Sequence, residues 1–118
     1  ASVDLETDFL NGIALSKSRK PWLKELLLTL ARQDIKVRWS AFDRLAKWGT
    51  DAPETELLAI CVHELEQRIP KDPAAPTHYE IQLESCRSYL GTLAQRPFEW
   101  GDLRRALEFA KKRLSATK

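Results

Sequence analysis

Residues 34–49 read DIKVRWSAFDRLAKWG. Val37, Ala41, Phe42, Leu45 and Trp48 recur at spacings of one, three and four. That spacing brings side chains to one face of an α-helix. Asp34 precedes the stripe and is expected to cap the helix. Gly49 follows it and can take the left-handed shape that closes a helix. Lys36, Ser40, Asp43, Arg44 and Lys47 fall on the opposite, polar face.

The same period runs outward from this stretch. Pro21 suits a first helical turn, where its missing N–H costs nothing. Trp22, Leu23, Leu26, Leu27 and Leu30 then form a broad apolar stripe. Upstream, Leu5, Phe9, Leu10 and Ile13 predict a helix within residues 3–16, capped by Ser2 or Asp4. Downstream, Asp51 and Glu54 flank Pro53 at capping-box spacing. Leu57, Leu58, Cys61, Val62, Leu65 and Ile69 carry the next apolar face, which Pro70 ends. Residues 70–76, PKDPAAP, hold three prolines and read as a linker. Thr77 and Glu80 repeat the capping-box spacing before Ile81, Leu83, Cys86, Leu90, Leu93 and Ala94. Pro97 introduces a last helix with Trp100, Leu103, Ala106, Leu107, Ala110 and Leu114. The expectation is an all-α fold of five or six antiparallel helices in a single domain spanning residues 1–118. Helices this short must pack on one another to persist in water.

Composition agrees. The chain has 118 residues, 43% of them hydrophobic, with only four glycines. Leu, Ala, Glu, Lys and Arg dominate, which favours helix over strand. The net charge is +2, and no apolar run approaches the length of about 20 residues that spans a membrane. Cys61 and Cys86 do not form a disulfide framework. They read as two buried thiols, or as one bridge between neighbouring helices. A cytoplasmic location is the expectation.

Residues 21–49 together, PWLKELLLTLARQDIKVRWSAFDRLAKWG, resemble a HEAT-type repeat. The resemblance lies in a Pro early in the first helix, Asp34 and Val37-Arg38 around the turn, and Ala41 and Leu45 four and eight positions after the Val. It implies a helical hairpin that stacks on another and offers a surface to a partner protein. Arg38 would then hold carbonyls or an acid of the adjoining hairpin. An array should repeat at about 40 residues. Residues 53–94 form a second hairpin of about that size, but no Val-Arg pair follows its turn. A generic helical bundle therefore stays beside the stack as an alternative. A DNA-reading helix-turn-helix fits less well, because Asp43 would face the phosphates.

Charge is sorted by segment. Residues 17–47 carry nine bases against three acids (+6), and residues 48–85 two against eight (−6). Residues 86–118 carry eight bases against three acids (+5). One expectation is that acidic and basic helices lie side by side and offset each other. Otherwise the basic segments would meet nucleic acid or an acidic protein, through Lys17, Arg19, Lys20, Arg38, Lys47, Arg104 and Arg105. The acidic stretch 51–66 would suit a small inhibitor or immunity-type protein covering a basic enzyme.

No phosphate loop, His-Glu-x-x-His, nucleophile elbow or Asp-rich metal loop occurs. Cys61 and His63 point about 200° apart on a helix, so a shared metal is not expected. No catalytic residue, metal or cofactor is assigned. The reading is a non-catalytic interaction module or adaptor whose partner is another protein. Its contact residues would be Arg38, Trp39, Arg44 and Lys47. Trp39 falls off the centre of its stripe, and Trp beside Arg is enriched at interfaces.

Overall fold

The computed structural model describes residues 21–116, and the helix expected within residues 3–16 lies outside them. The described residues form five α-helices and one 3-10 turn, with no strand among them. They are α1 (Pro21–Ala31), α2 (Arg38–Ala46), α3 (Glu54–Arg68), α4 (Ile81–Ala94) and α5 (Leu103–Ala116), with the 3-10 turn at Trp100–Asp102 just before α5. The chain divides into two compact units between Pro53 and Glu54. The proline-rich loop at 70–76 lies inside the second unit. Arg104 of α5 donates to the carbonyls of Pro70 (3.1 Å) and Asp72 (2.8 Å), and so anchors the loop that the sequence presents as a linker.

In the first unit α1 and α2 form a hairpin. Val37, Ala41, Phe42, Leu45 and Trp48 are all buried, as their spacing requires. Leu23, Leu27, Leu28, Leu30 and Ala31 are the buried positions of α1. Burying an aliphatic side chain of this size stabilises by roughly 1.5–3 kcal/mol. Trp22 was expected in this stripe but is 60% exposed. The stripe centres on Leu23, Leu27 and Leu30, and Trp22 stands one position, about 100°, to its side.

Asp34 does not cap α2. Residues 32–37 are taken up by tight turns, with Ile35 N–H donating to Gln33 and Arg38 N–H to Ile35. The helix therefore starts at Arg38, with Val37 at the N-cap and no side-chain cap bond. Arg38 closes the hairpin instead: its Nε donates to the Ala31 carbonyl (2.9 Å) at the end of α1. Gly49 has φ 130°, a backbone shape that favours glycine, but it does not close α2 as expected: the C-cap is Lys47, at φ −101°. Lys24 of α1 donates to the Asp51 carbonyl (2.7 Å), which ties α1 to the chain after α2.

In the second unit α3 and α5 run antiparallel. The first residue of α3, Glu54, accepts two bonds from Arg113 near the end of α5 (3.1 and 3.2 Å). The far end of α3 meets Arg104 at the start of α5 through Pro70. Ala106 and Ala110 are fully buried on α5, and their small side chains let the helices approach closely. Lys111 pairs with Glu66 (3.6 Å). Two acids of α3 thus pair with two bases of α5, in line with the expectation that acidic and basic helices lie side by side.

α4 is buried along Leu83, Cys86, Tyr89 and Leu90. Ile81 was expected inward but is 70% exposed. It stands two positions, about 200°, from Leu83. Thr77 makes no capping box, because the N-cap of α4 is Glu80 without a side-chain bond. Asp51 likewise stands three residues before Glu54 and lies beside Lys24 (4.0 Å). Gly91 is buried against the chain that follows α4. A Cβ there would sit 3.3 Å from the Arg96 carbonyl oxygen and 3.4 Å from Pro97 Cα.

Candidate functional site

The four residues assigned to a partner on α2 do not share one open face. Successive positions turn by about 100°, so Arg38 falls within the buried stripe, between Phe42 and Leu45, and Arg44 at its edge beside Val37. Each is engaged at home. The Arg38 guanidinium lies over the Trp39 ring (4.8 Å) while bonding Ala31. Arg44 lies over the ring of buried Trp48 (4.8 Å). Trp39 is half-buried and meets Phe42 edge-on, with centroids 5.5 Å apart. It therefore contributes to the fold from the edge of the stripe, where the sequence places it off centre. Lys47 is exposed.

Of the basic residues assigned to phosphate, Lys17, Arg19 and Lys20 lie outside the described residues. Arg104 is committed to the 70–72 carbonyls, and Arg105 is exposed. In the acidic segment, Glu54, Glu64 and Glu66 pair with Arg113, Arg68 and Lys111. Glu64 is buried at 3% exposure, and its partner Arg68 reaches on to Glu80 (2.9 Å). This carboxylate–guanidinium–carboxylate chain fastens the end of α3 to the start of α4. Both carboxylates hold the Arg68 proton more tightly than usual through their hydrogen bonds. His63 is exposed while Cys61 is buried, so the two point apart as expected.

A second cluster, at the start of α4, was not singled out from the sequence. Tyr79 is 63% exposed and meets Trp100 edge-on (4.7 Å, 68°). Arg87 lies over the Trp100 ring (4.6 Å). Its guanidinium is gripped by both Glu84 carboxylate oxygens (2.9 and 3.1 Å) and donates to the Phe98 carbonyl (2.6 Å). The Thr77 hydroxyl donates to the Trp100 carbonyl. Trp100 is therefore held from three sides, and Tyr79 stands against a fixed neighbour. Exposed Ile81 lies two positions further on. A cleft of about 470 Å³ opens on the other side of Arg87, lined by Ser88, Gly91, Thr92, Arg96 and Phe98 among others.

No sequence period marks this cluster. Tyr79 lies in a loop, Trp100 in a 3-10 turn and Arg87 on a helix. They meet because Gly91 lets residues 96–98 fold back onto α4.

The chain was compared with protein-family models, curated proteins and solved structures, and none of the three comparisons gave a match.

Proposed function

We propose that the chain is a non-catalytic interaction module that binds another protein. One observation carries this reading: Tyr79 stands in solvent beside a Trp100 that Arg87 and Thr77 hold in place, with Ile81 exposed two positions along the chain. Large apolar side chains exposed singly are ordinary. Here an exposed aromatic flanks an immobilised Trp–Arg pair, an exposed aliphatic follows two positions on, and Trp, Tyr and Arg dominate binding hot spots. A fixed aromatic loses little side-chain entropy on docking. The cleft beside Arg87 offers space for a partner's side chain. Trp39 and Lys47 give the first unit a surface of similar composition.

Ile81→Asp tests the reading with little risk to the fold. The position is exposed at the first turn of α4, where an acid is favoured by the helix dipole. The tagged full chain, expressed in its native host, is expected to retain a stoichiometric protein partner that the variant loses, at unchanged helix content. Equal recovery by both proteins would overturn it. So would salt-sensitive binding of mixed-sequence nucleic acid, the mark of phosphate contacts.

A further inference from the structure

The chain contains two cysteines, on different helices. Both thiols are free and fully buried, one on α3 and one on α4, and Cys86 lies near enough to Cys61 to help hold its proton on. The fold has thus brought the only two sulfurs of the chain close together.

We propose that Cys61 and Cys86 form a disulfide site that closes while the second unit folds in the presence of a disulfide oxidant such as oxidised glutathione. One cysteine thiolate attacks a glutathione sulfur, the glutathione S–S bond breaks, and one glutathione thiolate leaves with its electron pair. The second cysteine thiolate attacks the mixed disulfide, and the second glutathione thiolate leaves. The protein gives up two electrons and two protons, and one oxidised glutathione becomes two reduced ones.

Packing decides where this chemistry stops and when it can start. Neither position has room for an attached glutathione, so closure of the unit favours its expulsion by the other cysteine. The folded dithiol is shielded. The thiolate is the nucleophile, and burial, the nearby Cys86 and the Glu64 charge all hold the Cys61 proton on. A closed disulfide at these positions is equally shielded from reductants. The protein therefore keeps the redox state in which it folded.

The test refolds the full chain from urea, once in dithiothreitol and once in a glutathione redox buffer. The expected product of the second is lighter by two hydrogens, with peptides containing Cys61 and Cys86 linked, and has a higher urea midpoint. Folded dithiol protein placed in the same glutathione buffer is expected to stay reduced long after the refolding sample has oxidised. Cys61→Ala and Cys86→Ala should each abolish the difference between the two refolding conditions. Should a variant fail to fold, the oxidised and reduced wild-type chains still give the midpoint comparison directly. Glutathione adducts or linked dimers as the main product would overturn the proposal. A lower midpoint for the oxidised form, or equally fast oxidation of the folded protein, would do the same.

Discussion

At the scale of single residues, the arginines do the most to define this molecule. Arg38 closes the first hairpin, Arg68 joins α3 to α4, Arg87 pins the turn at Trp100, and Arg104 and Arg113 fix α5 at both ends. A planar guanidinium with five donors can satisfy a carbonyl, a carboxylate and an aromatic face together, which an ammonium cannot. Arg68 matters most, because it compensates a buried carboxylate. Removing one partner of a buried pair costs about 3–5 kcal/mol, and the partial exposure of Arg68 reduces this to about 2. Arg68→Met is expected to lower stability by that amount in urea denaturation, and Glu80→Gln by less. Combining Arg68→Met with Glu64→Gln should recover part of the loss. A cost under about 0.5 kcal/mol for Arg68→Met would show that another partner of Glu64 suffices. The HEAT-type resemblance implies only the carbonyl bond of Arg38, and on an adjoining hairpin, whereas it forms within its own; the other roles are not visible in the sequence. An Arg looks the same whether it faces solvent or a carbonyl 34 positions away, as Arg104 does.

At the scale of helices, existence was legible and the ends were not. Apolar period placed all five described helices, because burying one stripe is what stabilises a short helix. Capping was misjudged at Asp34, Asp51 and Thr77, since a capping residue works only if the turn before it leaves the helix start free. The end of α4 shows the reverse case. Gln95 takes the left-handed conformation at φ 59°, a position that favours glycine. Its N–H bonds the Thr92 carbonyl, and the Arg96 N–H bonds that of Gly91. Gln95→Gly keeps this geometry without the Cβ conflict and is expected to stabilise by about 1 kcal/mol. For a domain of this size that is a rise of roughly 4–8 °C in melting temperature. An unchanged or lower Tm would mean that the Gln95 side chain makes a compensating contact.

At the scale of the whole molecule, folding in the second unit is linked to pH through Tyr89. Burial, with the nearby charges of Glu54 and Cys61, holds its phenol protonated well above the usual value, and Arg113 pulls weakly the other way. In the unfolded chain the phenol loses its proton near pH 10, while the folded chain keeps it. Unfolding then releases a proton, so rising pH favours the unfolded state. The stabilisation is complete below about pH 10 and declines above it, by up to about 1.4 kcal/mol per pH unit for one group. Cys61, raised mainly by burial, adds to the decline from about pH 8.5. Urea midpoints measured from neutral to strongly alkaline pH should therefore fall. Tyr89→Phe should make the fall shallower above about pH 10. Identical slopes would place Tyr89 outside the linkage.

The order of apolar and polar residues determined by itself that this chain is helical, where its described helices lie, and that Val37, Ala41, Phe42, Leu45 and Trp48 face inward. Period and burial are properties of neighbours in sequence, so they can be read locally. Only the tertiary structure decided which acids of α3 pair with which bases of α5, that Cys61 lies near Cys86, and that Tyr79, Trp100 and Arg87 share a corner. Those pairings depend on which residues distant along the chain are brought within a few ångströms. That is settled by how the stripes pack, and no spacing along the chain encodes it.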